Sequence, residues 1–168
     1  MNQIVIKYNE CNSISNAHLF GLCDAPAPSK EPAYIDEKNG ETWIAIVDNE
    51  PKFEVVFTAI DNCIEFKRND DKPSKRCDGV LSFNETIIFV ELKDRSAKNN
   101  EWVKDGEKQL RVSLANFENL DLFSHFKIKK AYISNNQHPK FKSSQINRME
   151  KFLDDTGFIL RIENRIIL

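Results

Sequence analysis

The sequence has few of the residues from which thiolate metal sites and membrane spans are built. Its 168 residues include 4 cysteines and 3 histidines, and no two cysteines have the Cys-x-x-Cys spacing of a zinc site. The longest apolar run, residues 43–47, is far shorter than the roughly 20 residues that cross a bilayer. We therefore expect neither a zinc protein nor a membrane partner.

The first residues also lack the basic stretch and long apolar region of a signal peptide. We therefore expect a cytoplasmic protein. In that compartment the cysteines are most simply reduced core residues, namely Cys11, Cys23, Cys63 and Cys77. With 40% hydrophobic and 30% charged residues, the composition is that of a folded globular protein.

The length and the order of patterns predict one domain with residues 1–168. Three prolines interrupt residues 11–40, so residues 1–41 are predicted as a loop-rich extension, with a short strand in residues 2–8 and a short helix around residues 15–23. The pattern of apolar and polar residues in 42–168 predicts two strands, a hairpin, a helix, a strand, a helix and terminal strands. A helix between two strands fits a crossover that joins parallel strands. The fold class is α/β or α+β, with helices covering a mixed sheet.

Residues 76–83 and 86–95 form two short apolar stretches that predict a β-hairpin. Asp78 precedes the first strand, and Glu91 and Lys93 end the second. Glu91 and Lys93 are two residues apart and therefore point to the same face. Asp78 shares that face only if the register sets it opposite Glu91, which requires an even-numbered loop such as Asn84-Glu85, or a bulge.

Two carboxylates in such opposed positions would lie roughly 5 Å apart. They would repel each other by roughly 3 kcal/mol at an effective dielectric near 20, which Lys93 offsets only in part. A divalent cation would remove the conflict, and oxygen ligands with open positions suit Mg²⁺. The alternative interpretation is a structural ion pair. Glu-x-Lys alone carries little information, because it occurs three times in the chain.

A helix carrying Leu110, Leu114 and Phe117 on one apolar stripe is predicted after the hairpin. Gln109 lies beside this stripe and is therefore expected near the sheet. A functional role and a polar position at the margin of the helix both remain open for it.

The net charge of −2 conceals an uneven distribution. Residues 1–60 carry nine acids and four bases, whereas basic residues cluster in residues 67–76 and 124–151. Such clusters could bind the phosphate backbone of a nucleic acid, and a solvated lysine surface is the alternative interpretation. The candidate backbone contacts are Lys67, Arg68, Lys75, Arg76, Lys129, Lys140 and Lys142.

Residues 53–135 resemble the PD-(D/E)XK nuclease superfamily, which has the restriction-endonuclease-like fold. The likeness rests on residues 60–64, Arg76-Cys77-Asp78-Gly79, Phe89-Val90-Glu91-Leu92-Lys93 and Gln109-Leu110, which look like a group of small bacterial proteins of this type. Cys77 replaces the motif proline. Ser113 stands where some branches have an aromatic residue four positions after the glutamine.

The resemblance implies that Asp78, Glu91 and the Leu92 backbone carbonyl hold Mg²⁺ or Mn²⁺. It also implies that Lys93 orients or helps to deprotonate the attacking water, with assistance from Gln109. The first functional hypothesis is therefore a metal-dependent nuclease that hydrolyses DNA in defence or DNA processing. The alternative is a catalytically silent nuclease-like fold that binds a protein as an immunity or adaptor module. A nuclease that needs a protein partner, or that acts as a homodimer, is also open.

Overall fold

Two mixed β-sheets and three α-helices make up the part of the chain that the structure, a computed structural model, describes: residues 2–66, 75–94, 100–118, 120–137 and 145–168. The predicted combination of helices with a mixed sheet is confirmed. The helices are α1 (Gln3–Lys7), α2 (Glu101–Glu118) and α3 (Ile146–Thr156).

The larger sheet has six strands: β1 (Asn12–Ser15), β5 (Val55–Ala59), β6 (Gly79–Phe83), β7 (Thr86–Lys93), β8 (Ile128–Asn135) and β9 (Ile159–Arg161). They lie side by side in this order. The first four strands are antiparallel neighbours, whereas β7, β8 and β9 run parallel.

The smaller sheet has four strands: β2 (Leu19–Cys23), β3 (Tyr34–Asp36), β4 (Ala45–Asp48) and β10 (Arg165–Ile167). Their spatial order is β10-β4-β2-β3, with β10 parallel to β4 and the other pairs antiparallel. Both termini therefore contribute strands to this second sheet.

The six-stranded sheet is buried on both faces, and β7 divides the two cores. Ile87 and Phe89 belong to a cluster with Leu110 and Phe117 of α2. Ile88 and Val90 belong to a second cluster that includes residues of the four-stranded sheet. Side chains alternate along a strand, so Glu91 and Lys93 continue the face that Ile87 and Phe89 turn toward the helices. All eight residues of β7 are buried for this reason.

The hairpin and the crossover follow the sequence predictions. β6 and β7 are joined by the two residues Asn84 and Glu85, and Phe83 pairs with Thr86. Asn84 has a positive φ of 47°, which asparagine tolerates better than most residues. Helix α2 then connects β7 to the parallel strand β8, as expected for a crossover.

The amino-terminal residues differ from their predictions. Within residues 2–8 the chain forms helix α1 (Gln3–Lys7) instead of a strand, and within residues 15–23 it forms strand β2 (Leu19–Cys23) instead of a helix. Asn2 explains the first difference, because its Oδ1 accepts hydrogen bonds from the Ile4 and Val5 N–H groups and caps the helix. Residues 1–41 thus supply strands to both sheets, where the sequence analysis expects mostly loops.

The expectation that all four cysteines are reduced is wrong for two of them. Cys11 and Cys63 form a disulfide that joins positions 52 residues apart. Cys23 and Cys77 are free and buried, in agreement with the prediction of core thiols. The sequence separation of 52 hides the pairing, because only the pairing of β1 with β5 brings the two segments together.

Among the described residues, every helix is either too short or too polar to be a transmembrane segment.

Candidate active site

The hairpin register places Asp78 opposite Glu91. Gly79 pairs with Val90 at the open end of the hairpin, so the next pair outward is Asp78 with Glu91. The Asp78 carbonyl accepts a hydrogen bond from Ile60 N, and its Oδ2 accepts one from Leu92 N at 2.6 Å. The predicted even-numbered loop and the predicted register are confirmed. Both acids lie on the helix-facing side of the sheet, and both are buried.

Gly79 allows this close arrangement of β5 and β6. A Cβ at residue 79 would overlap the Phe57 ring and lie 2.9 Å from the Thr58 carbonyl oxygen. A larger residue would push the two strands apart next to Asp78. The backbone that carries Asp78 is therefore held on one side by β5 and on the other by β7.

Lys93 connects the hairpin to helix α2. Its Nζ lies 2.7 Å from Glu91 Oε1 and donates a hydrogen bond of 2.7 Å to Gln109 Oε1. Gln109 Nε2 in turn donates to the Arg76 carbonyl at 3.2 Å. The predicted position of Gln109 near the sheet is confirmed. The structure brings Asp78, Glu91, Lys93 and Gln109 together at one end of the hairpin.

Ser113 adds a contact that the sequence analysis does not anticipate. It is fully buried, and its Oγ accepts a hydrogen bond from Cys77 N at 2.8 Å. Gln109 and Ser113, one helical turn apart, therefore bind the carbonyl of residue 76 and the amide of residue 77. The two residues hold the segment that leads into Asp78 against α2.

The two central carboxyl groups are electrostatically costly in their ionised forms. Burial raises the pKa of Asp78 well above its ordinary value, and the Glu91 carboxylate raises it further, although the Leu92 N–H group opposes the rise. Burial raises the pKa of Glu91 to about 7, against the opposing effect of the Lys93 ammonium. Glu91 Oε2 is buried and has no hydrogen-bond partner among the described residues.

Two further acids influence the site, and neither is predicted as a site residue from the sequence. The charges of Asp61 and Asp24 raise the pKa of Glu91 further. Burial and Asp61 raise the pKa of Asp24 itself. Asp24 follows β2 of the smaller sheet, and Asp61 lies in the turn after β5. No local sequence signal marks Asp24, because only the packing of the two sheets brings it close.

The predicted nucleic-acid contacts are only partly within the described residues. Lys75 is exposed, and Lys129 lies near the start of β8, opposite Ile87. The β8 residue that pairs with Glu91 is Ile133, four positions after Lys129, and four positions span about 13 Å along a strand. The structure therefore does not bring Lys129 to the site. Lys67, Arg68, Lys140 and Lys142 lie outside the described residues.

Arg76 lies beside the site but has neighbours of its own. Its Nη2 lies 4.0 Å from Asp61 Oδ1, and its guanidinium carbon lies 5.7 Å from the centre of the Phe66 ring. Its Nε and Nη1 are buried without a hydrogen-bond partner among the described residues. Arg76 therefore links the turn that contains Asp61 to the segment that precedes Asp78.

Across the described ranges, no group of three or more His, Cys, Asp or Glu side chains is arranged to hold a metal ion. The set expected from the sequence is smaller, with two carboxylates and the Leu92 carbonyl. No protein-family model, curated protein or solved structure matches the chain significantly.

Proposed function

We propose that this chain is a metal-dependent nuclease that hydrolyses DNA phosphodiester bonds. The observation that supports this best is the convergence of Asp78, Glu91 and Lys93 at the open end of the hairpin. Two carboxylates beside one ammonium are a suitable set for charge stabilisation and water activation in phosphodiester hydrolysis. Membership of the PD-(D/E)XK superfamily is part of the same proposal.

The topology around the site supports a restriction-endonuclease-like fold within this proposal. An antiparallel hairpin carries the acids, α2 follows it, and β8 returns parallel to β7. Gln109 on α2 contacts Lys93, which is the position that the resemblance assigns to the helix glutamine. The four-stranded sheet, which includes strands from residues 1–41, is additional to that core.

The residues at the site fit a divalent cation. Glu91 Oε2 has no hydrogen-bond partner among the described residues, and burial disfavours the ionised forms of Asp78 and Glu91. A positive charge beside them would satisfy the free oxygen and favour ionisation. Asp78, Glu91 and the Leu92 carbonyl would hold Mg²⁺ or Mn²⁺. When bound, the ion would supply Lewis acidity toward a phosphoryl oxygen and toward water.

Lys93 and Gln109 provide the remaining chemistry. The Lys93 ammonium is held between Glu91 Oε1 and Gln109 Oε1, so its position is fixed before a substrate arrives. From there it can orient a water molecule toward phosphorus and stabilise negative charge that develops on the phosphoryl oxygens. Gln109 keeps Lys93 in place through its second contact with the Arg76 carbonyl.

A second candidate function is protein binding by a catalytically silent form of this fold. The close contact of Lys93 with Glu91 and Gln109 favours it, because these three side chains satisfy much of one another's polarity without a ligand. The acidic excess of residues 1–60 would suit a basic protein partner. Stoichiometric capture of such a partner, with no Mn²⁺ binding in calorimetry, would favour this function.

Hydrolysis assays with purified protein test the proposal. Single- and double-stranded DNA, linear and circular, and RNA are incubated with Mg²⁺ or Mn²⁺. We expect Asp78→Asn and Lys93→Met to reduce cleavage by about 10²-fold or more. The exposed residues Asp154 and Lys30 supply the matched controls Asp154→Asn and Lys30→Met, which should cleave like the wild type. No cleavage of any substrate, or full cleavage by both site variants, would refute the nuclease proposal.

A further inference from the structure

The Cys11–Cys63 disulfide joins the amino-terminal segment to the turn that follows β5. Cys11 lies at the end of a short 3₁₀ helix that follows α1, directly before β1. Cys63 lies in the turn of residues 60–64. The bond closes a loop with a sequence separation of 52 and ties this turn covalently to the segment that precedes β1.

This turn is hydrogen-bonded to the backbone of Asp78. The Ile60 carbonyl accepts hydrogen bonds from Cys63 N at 3.2 Å and from Ile64 N at 2.9 Å. Ile60 N donates to the Asp78 carbonyl at 2.9 Å. A continuous path of one covalent bond and two hydrogen bonds thus runs from Cys11 to the backbone of Asp78.

Asp61 gives the same turn a second connection to the site. Its carboxylate lies 4.0 Å from Arg76 Nη2, and the Arg76 carbonyl accepts the hydrogen bond from Gln109. Gln109 also holds Lys93. A change in the order of the turn would therefore reach both Asp78 and Lys93.

The disulfide is accessible to a reductant. Cys11 and Cys63 both line a surface cavity of about 480 Å³, together with Glu10 and Tyr34. Cys11 is itself buried, whereas Cys63 is only half-buried and is therefore the end of the bond that a reductant reaches first. Thiol–disulfide exchange requires access to one sulfur atom, and this cavity provides it.

We propose that the Cys11–Cys63 disulfide is a redox modification site whose reduction loosens the turn of residues 60–64 and thereby lowers the activity of the Asp78 site. The reductant is a dithiol. Its thiolate attacks one sulfur of the disulfide and forms a mixed disulfide, and the other cysteine leaves as a thiolate that takes up a proton. The second thiol of the reductant then releases the protein thiol, so two electrons pass to the protein and the dithiol becomes a disulfide.

The part of this inference that concerns hydrolysis rests on the proposed function, whereas the coupling between the disulfide and the turn does not. The experiment therefore measures both the order of the turn and the hydrolysis of DNA. Full-length protein is compared in its oxidised form and after dithiothreitol, with alkylation and mass spectrometry to report the state of Cys11 and Cys63. Hydrogen exchange is measured at the amides of Ile60, Cys63 and Ile64, and DNA cleavage is measured with Mn²⁺.

Reduction should accelerate exchange at these three amides by about tenfold or more, because they lose a covalent restraint. It should lower cleavage by about tenfold or more, because small displacements of catalytic groups are costly. The variant Cys11→Ser/Cys63→Ser should resemble the reduced form and not respond to dithiothreitol. The matched control Cys23→Ser should respond like the wild type. Reoxidation of the reduced wild type should restore both measurements.

Three outcomes would overturn the inference. Free thiols at Cys11 and Cys63 in protein purified without reductant would show that the bond does not form. Unchanged exchange on reduction would show that the bond does not restrain the turn. Faster exchange with unchanged cleavage would show that the turn does not control the site. Faster exchange with no cleavage in either form would instead support the restraint and refute the nuclease function.

Discussion

Replacing Glu91 by glutamine should remove a defined part of the pH dependence of stability in the metal-free protein. The pKa of Glu91 is about 7 in the folded protein, compared with 4.5 for an ordinary glutamate. The folded state therefore binds this proton more tightly than the unfolded state. The contribution of Glu91 to the free energy of unfolding is then greatest below pH 4.5 and falls as the pH rises through 7. At about 1.4 kcal/mol per pKa unit, the fall amounts to about 3 kcal/mol.

Urea unfolding in EDTA, at pH values from about 5 to about 8, measures this fall. Glu91 should contribute about 2 to 3 kcal/mol to the stability that the wild type loses over this range, so Glu91→Gln should lose less than the wild type by about that amount. The absolute stability of the variant is not the measure, because the substitution also removes the ion pair with Lys93. The exposed residue Glu54 provides the control Glu54→Gln, which should keep the wild-type slope. Equal slopes for the wild type and Glu91→Gln would refute the electrostatic argument.

Adding Mn²⁺ above pH 7 extends the same experiment to the proposed metal centre. An ion that binds only the folded state stabilises it by about 2.7 kcal/mol at a hundredfold excess over its Kd. The wild type should regain stability of this order at the pH where Glu91 is ionised. Glu91→Gln and Asp78→Asn should regain little. If Mn²⁺ stabilised both variants as much as the wild type, the ion would bind elsewhere.

Three further predictions concern the surroundings of the site. Gln109→Leu should slow DNA cleavage by about tenfold or more. Gln109→Leu and Ser113→Ala should each lower the free energy of unfolding by about 1 to 3 kcal/mol in urea unfolding, but Ser113→Ala should slow cleavage less than Gln109→Leu. Equal slowing by the two variants would contradict a site role for Gln109. Gly79→Ala should lower the free energy of unfolding by about 1 to 3 kcal/mol through overpacking, and an unchanged value would contradict the tight packing of β5 on β6. Replacing both Cys11 and Cys63 by serine should lower it by up to about 4 kcal/mol, given the sequence separation of 52. Wild-type stability of that variant would show that the bond contributes nothing.

The hairpin could be predicted from the sequence because its determinants are local. Two apolar stretches on either side of Asn84-Glu85 define the strands, and the number of loop residues fixes the register. The alternation of side chains then places Glu91 and Lys93 on one face. The position of Gln109 follows in the same way from helical periodicity.

Asp24 and the Cys11–Cys63 disulfide could not be predicted because they depend on distant pairings. Asp24 directly follows β2, so its position depends on the pairing of β2 with β3 and β4, which lie further along the chain. The disulfide depends on β1 meeting β5. The strand expected in residues 2–8 rests on an alternation of apolar and polar residues and is wrong, because the cap at Asn2 favours a helix there.

The charges around Lys93 argue for a cation more strongly than the Glu91–Lys93 pair does alone. A structural ion pair needs one acid for one base, and Glu91 already provides it at 2.7 Å. Asp78 then adds a second buried carboxylate opposite Glu91, and the Glu91 carboxylate raises the pKa of Asp78 beyond the effect of burial. Asp24 and Asp61 raise the pKa of Glu91 further. Such an excess of acids destabilises a purely structural site, whereas a divalent cation would turn the same excess into binding energy.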